Sequence, residues 1–139
     1  MCRSLTFDGR TYDVQDNILI TDHKGQRRTA KWVGRAKRER LQWWKSRGKV
    51  KSVLIHAETF LHGKIEQQLR VEHKRLLGIE VFQVCRDKDG QIVARPGDVL
   101  IVTRPTRTTF ESAVDERWPV AVPPKDEPGQ LFKEEHSIT

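Results

Sequence analysis

Short apolar runs and strict alternation dominate the chain, and both are strand patterns. Leu5-Thr6-Phe7 runs into the tight-turn dipeptide Asp8-Gly9, and Thr11-Tyr12-Asp13-Val14 follows. That predicts a hairpin directly behind the amino terminus, pinning the first residues. Asn17 to Thr21 (NILIT) reads as a buried strand, and the turn Asp22-His23-Lys24-Gly25 leads to another ending at Ala30-Lys31-Trp32-Val33-Gly34. The stretch RAKRERLQWWKSRGKVK, residues 35–51, has no apolar stripe beyond Leu41, Trp43 and Trp44, and reads as a loop or a single irregular helix on the surface. Val50 to Ile55 is rich in β-branched residues and predicts a core strand.

Residues 58–74 predict a helix, with Phe60, Leu61, Ile65 and Leu69 on a partial apolar face interrupted by Gly63. Strand character returns from Leu76 to Val84, and Asp87-Lys88-Asp89-Gly90 is a hairpin turn. Pro96-Gly97-Asp98 launches the strand Val99 to Thr103. A short helix over 109–114 and a strand Val120-Ala121-Val122 complete the pattern before Pro123-Pro124. The fold class is α+β, strand-dominated, with short helices. One domain over residues 1–124 is expected, and 125–139 reads as a disordered, flexible tail.

Composition sharpens this outline. With 139 residues, 36% of them apolar and 32% charged, the chain forms one domain with a modest core and a strongly ionic surface. The formal charge of +7 is unevenly spread. Residues 24–51 hold twelve Lys and Arg against the single acid Glu39, whereas the tail carries Asp126, Glu127, Glu134 and Glu135. Concentrated positive charge is the footprint of a polyanionic partner, and nucleic acid fits it better than a membrane. No run of 18 apolar residues and no signal peptide is present. Two distant cysteines form no secreted-type framework, which places the protein in a reducing cytoplasm, nucleoid-associated if bacterial. The five histidines lack zinc spacing, Cys85 has no C-x-x-C partner, and no P-loop occurs, so neither metal nor cofactor is expected. Cys85 reads as a small buried apolar residue.

Candidate chemistry begins at Cys2. Removal of Met1 would leave a terminal cysteine whose α-amine (pKa about 7.7–8.0) and thiol (about 8.5) share one carbon. Both attack aldehydes near neutral pH, the amine first and the thiol closing a ring. Nearby cations such as Arg3 favour the thiolate. The opposing reading is an idle or buried cysteine on a basic binding module.

The order of landmarks over roughly residues 1–124 resembles the SOS response-associated peptidase (SRAP) family. The matching pieces are Met1-Cys2, Lys31-Trp32-Val33-Gly34 followed by Trp43-Trp44, Ala57-Glu58-Thr59, the strand Arg75 to Val84, Leu100 to Thr103, and Arg117-Trp118-Pro119-Val120. The resemblance implies twisted antiparallel sheets, binding of single-stranded DNA, and a thiazolidine crosslink between the terminal cysteine and an abasic site. Autoprocessing would expose that cysteine. The chain departs from the family's pattern: Leu54 stands at the signature asparagine, His56 at its arginine, Gln83 at the glutamate beside Phe82, and Asp115 at the histidine.

The candidate catalytic set is therefore Cys2, His56, Glu58, Gln83 and Asp115, with Glu116 beside the last. His56 titrates near neutrality unaided, a carboxylate needs burial to do so, and Gln83 can only hydrogen-bond. Each has a structural alternative: Glu58 as a helix N-terminal acid, Asp115 and Glu116 as a solvated turn, His56 as a half-buried strand residue. The expected nucleic-acid surface comprises Arg3, Arg35, Lys37, Arg38, Arg40, Trp43, Trp44, Lys45, Thr103, Arg104 and Arg117, with Arg107 extending it. Aromatics among cations bind single strands by stacking and phosphate contact. Trp32 reads as core, and one of Trp43 and Trp44 as exposed. Two alternatives stay open: a non-catalytic nucleic-acid-binding or inhibitory module on the same fold, and a basic adaptor for an acidic protein.

Overall fold

Asp8 and Gly9 both take positive φ (52° and 76°), the pairing a two-residue primed turn requires, and they join β1 (Cys2–Phe7) to β2 (Arg10–Asp13) as the Asp-Gly dipeptide predicts. The structure, a computed structural model, describes residues 2–62, 67–105 and 117–124. The remaining described strands are β3 (Asn17–Thr21), β4 (Arg27–Lys37), β5 (Lys51–His56), β6 (Thr59–His62), β7 (Gln67–Arg70), β8 (Arg75–Glu80), β9 (Cys85–Arg86), β10 (Ile92–Ala94), β11 (Val99–Pro105) and β12 (Arg117–Pro119). One α-helix, α1 (Leu41–Gly48), and two 3-10 turns, Arg38–Arg40 and Glu72–Lys74, accompany them. Among the described residues the fold is strand-dominated, with antiparallel sheets and one short helix. The expected helix at 109–114, Arg107, Asp115, Glu116 and the tail 125–139 lie outside the described residues.

Five strands close on themselves in the order β11-β4-β3-β5-β8, with β8 returning to β11. Every contact in this ring is antiparallel except β4 with β11. Closure removes the free sheet edges that would otherwise template aggregation. The β8–β11 pairing covers only Gly78–Glu80 against Val99–Ile101, and beyond it the two strands part. The segment 117–122 fills the gap: β12 pairs with Thr103–Pro105, Leu77 N–H donates to Val120 O, and Val122 N–H donates to Arg75 O. The strand expected at 120–122 is thus a bridging segment, with the regular strand placed just before it.

Alternation sorts the ring strands into two cores. Ile18, Ile20, Ala30, Trp32, Val53, Ile55, Leu76, Val99 and Ile101 point inward and pack with Leu5 and Phe60 from a second sheet, β2-β1-β6-β7. Leu54, Leu77, Ile79, Leu100 and Val102 point outward, beneath α1 and the β9–β10 hairpin. A bulge in β4 switches faces: Trp32 is opposite Val99 but Gly34 is opposite Leu100, so Trp32 lies in the inner core and Ala36 in the outer one. Gly34, at φ 152°, supplies the backbone freedom the bulge needs, and its carbonyl accepts the buried Trp32 indole N–H at 2.8 Å.

Two expectations are corrected by this topology. Residues 58–74 do not form a helix but the hairpin β6–β7 and the second 3-10 turn. The spacing of Phe60, Leu61, Ile65 and Leu69 fits a helix, yet β1 needs a partner along its second edge, and pairing of Leu5 with Phe60 and Thr6 with Thr59 provides it. Glu58 is consequently a hairpin-base residue, its N–H bonded to Thr6 O and its carbonyl to Val71 N–H, and not the first residue of a helix. Strand character after Leu76 also stops early, at Glu80, because Phe82 and Gln83 turn their N–H groups to Gly48 O.

Candidate nucleic-acid interface

The basic stretch 35–51 is ordered in three pieces. β4 runs on to Lys37, a 3-10 turn follows, and α1 buries Leu41, Trp44 and Gly48. Those three lie at i, i+3 and i+7, the spacing of one helix face. Lys49 ends the helix in the left-handed conformation (φ 51°), donating its N–H to Lys45 O, and Lys45 and Arg47 complement the negative end of the helix dipole.

An open groove of about 700 Å³ lies between α1, β4 and the β9–β10 hairpin. Five cations line it: Arg35, Arg40, Arg47, Arg86 and Lys88. Trp43, Trp44, Val33, Val93 and Leu100 provide its apolar surface. Asp87 is the acid among these lining residues, and its Oδ1 accepts the N–H groups of Asp89 and Gln91 in its own turn, both at 2.9 Å. Trp44 is buried and Trp43 half-buried, their rings edge to face with centroids 5.0 Å apart. Two guanidiniums lie over the Trp43 ring, Arg40 at 5.1 Å and Arg47 at 5.7 Å from its centroid.

Of the expected binding residues, the groove gathers Arg35, Arg40, Trp43 and Trp44. Lys37, Arg38 and Lys45 belong to the same elements but do not line it. Thr103 is buried, and Arg117 bonds internally, its Nε to Thr103 Oγ1 at 3.1 Å and its Nη2 to Glu39 Oε1 at 2.6 Å. Arg104 is half-buried on β11. Sequence reading missed Arg47, Arg86 and Lys88. Helical spacing from Trp43 (i+4) would have found Arg47, whereas Arg86 and Lys88 arrive from a hairpin some forty residues away with no local signal.

The expected catalytic residues do not converge in the same way. Cys2 pairs through its backbone with His62, at the start of β1. His56 is buried, its Nε2 2.8 Å from Thr21 Oγ1 and its ring 5.8 Å from Phe7. Burial, reinforced by the charges of Arg27 and Arg75, holds its pKa below the usual histidine range, so it is neutral at neutral pH. Glu58 Oε1 accepts the Asp8 N–H at 2.5 Å, fastening the tight turn of the β1–β2 hairpin. Gln83 is exposed beyond the far end of β8. In the β5–β8 register His56 faces Arg75 and Lys51 faces Glu80. Five strand residues, about 17 Å, therefore separate the His56 end from the end that leads to Gln83.

Cys85 is buried, and burial raises its thiol pKa against the opposing charge of Arg47. Among the described residues no helix is long and apolar enough to cross a membrane. Comparison with protein-family models, curated proteins and solved structures found no match to this chain.

Proposed function

We propose that this chain is an SRAP-like protein that binds single-stranded DNA in the groove beside α1 and captures abasic sites through Cys2. The observation that carries the reading is the groove itself: five cations around two tryptophans, with its acid engaged in its own turn. Cations neutralise phosphates with release of counterions, so affinity is salt-dependent. Five contacts at a slope of about −0.7 each correspond to a loss on the order of 100-fold between 50 and 200 mM salt.

The covalent step draws on the family resemblance and on the placement of β1. The strand bearing Cys2 is held between β2 and β6 and lies against β12, whose Arg117 is bonded to the turn that opens α1. Once Met1 is removed, the α-amine adds to the aldehyde carbon and the adduct loses water to form an imine. The thiolate then adds to the imine carbon, and a proton passes to nitrogen, giving a thiazolidine. One water is released and no redox partner is needed.

A non-catalytic binding module is the second reading. It is favoured by the dispersal of His56 and Gln83 and by the commitment of the Glu58 carboxylate to a turn. One experiment separates the two. Single-stranded oligonucleotides with and without an abasic site are incubated with the protein and run on a denaturing gel. A shifted band that requires both the abasic site and Cys2, with intact mass showing loss of Met1, supports capture. Salt-sensitive binding of both oligonucleotides without a shifted band supports the second reading. Absence of binding rejects both.

A further inference from the structure

Trp43 stands where a stacking platform is expected, but the space over its ring is occupied. Arg40 and Arg47 flank it at i−3 and i+4, one helical turn to either side, with guanidinium carbons 5.1 and 5.7 Å from the ring centroid. The Trp44 ring packs edge to face with it, the two ring centroids 5.0 Å apart. A base stacking here would have to displace a guanidinium from its aromatic contact. Both arginines are exposed apart from that contact and line the groove, so their charge is available to a ligand.

Resting on the proposed binding of a single strand in this groove, we infer that the groove reads the phosphodiester backbone and not the bases, with Trp43 as a positioning residue for Arg40 and Arg47. A long, flexible cation ordinarily loses rotamer freedom when it engages a phosphate. A guanidinium already held over an indole has surrendered part of that freedom beforehand, so binding is tighter without a new ligand contact. Recognition of this kind is indifferent to base identity and tolerates nucleotides that carry no base.

The test compares an oligothymidine with an equally long strand of base-free deoxyribose-phosphate spacers, by fluorescence anisotropy across a salt series. The full chain and its Trp43→Leu, Trp43→Phe, Arg40→Gln and Arg47→Gln variants are measured. Expected are affinities for the two strands within about threefold of each other and equal salt slopes. Trp43→Leu lowers both affinities alike by several-fold, and Trp43→Phe restores most of the loss because a ring face remains. Each Arg→Gln change reduces the slope by about 0.7 on both strands. A stacking platform behaves differently, since each lost base contact costs about fivefold or more. A preference for oligothymidine of tenfold or more that Trp43→Leu abolishes overturns the inference while leaving the groove as the binding site. If neither strand binds, the groove reading and this inference fall together.

Discussion

Arg117 Nη2 lies 2.6 Å from Glu39 Oε1, joining β12 to the 3-10 turn that opens α1 across 78 residues of sequence. The same guanidinium donates to the buried Thr103, through Nε to Oγ1 and through Nη2 to the carbonyl oxygen, both at 3.1 Å. Because β12 lies against β1, one side chain couples the strand carrying Cys2 to a wall of the basic groove. Arg117 is thus engaged with Thr103 and Glu39 and does not line the groove.

Removing Arg117 leaves the Thr103 acceptors without their donor, so Arg117→Met is expected to cost about 1–3 kcal/mol in urea unfolding. Glu39 is half exposed, and Glu39→Gln is expected to cost under about 1 kcal/mol. The two differ further in acid. The hydrogen bond from Arg117, opposed in part by burial, holds the Glu39 carboxyl below the usual glutamate range. Its contribution is therefore full above about pH 4.3 and is lost as pH falls through the lowered value. Glu39→Gln should remove that part of the acid sensitivity, and an unchanged acid limb would show that the ion pair contributes nothing.

A second arginine holds one mouth of the barrel. Arg28 points inward from β4 and bonds both Asp22 and Glu80, two carboxylates whose side chains are only 5% exposed. Burial alone would raise the Asp22 carboxyl, but the N–H groups of Gln26 and Lys24 and the Arg28 guanidinium outweigh it and hold it low. Arg28→Met leaves buried acids without a cation. Arg28 is itself partly exposed, which moderates the loss to about 2–3 kcal/mol at pH 7. The pH dependence changes as well. The native protein keeps the Asp22 contribution above the ordinary aspartate value of about 3.9 and loses it as pH falls through the lowered value, and without the Arg28 guanidinium that acid limb should be weaker. Chemical denaturation of both proteins at pH 5 and pH 3 decides it.

The parts of this architecture that the sequence reveals are those fixed by neighbours in the chain. Asp8-Gly9 specifies its turn because only residues tolerant of positive φ fit there, and Val99–Thr103 shows itself by an unbroken apolar run after Pro96-Gly97-Asp98. The hairpin β6–β7 does not show itself, because what decides it is the vacant edge of β1, more than fifty residues away. The groove is half legible for the same reason. Arg35, Arg40 and the tryptophans share one basic stretch, but Arg86 and Lys88 are brought in by the β9–β10 hairpin, and the engagement of Asp87 depends on its own turn.

His56 yields a pH prediction of its own. With its pKa held down by burial and by Arg27 and Arg75, the unfolded chain takes up the proton more readily than the native one. The stability this represents is fully present above the unfolded value of about 6.5 and is lost as pH falls from there toward the lowered native value. Unfolding free energy should therefore decline between pH 7 and 5. His56→Gln, which keeps a hydrogen-bonding group near Thr21 Oγ1 and cannot titrate, should flatten that decline at a modest stability cost. Equal slopes in the two proteins would remove His56 from the account.

Gly78 tests the packing between the barrel's two sides. A Cβ at this position would lie 2.5 Å from Ile55 Cδ1 and 3.0 Å from Leu100 O, one a movable methyl group and the other backbone. Gly78→Ala is therefore expected to destabilise by about 1–3 kcal/mol, the usual range for overpacking a filled core. Ile55→Val deletes the methyl that clashes and alone costs about 0.5–1.5 kcal/mol. If the clash with Ile55 dominates, the double variant is more stable than the sum of the single changes predicts, by about 1 kcal/mol or more of coupling. Strict additivity would instead assign the cost to the contacts that valine leaves in place, Ile55 Cγ1 and the Leu100 carbonyl oxygen, each 3.0 Å from the added Cβ. Gly78 faces Val53 on β5 and Ile101 on β11, so both contacts lie where β8 closes the ring.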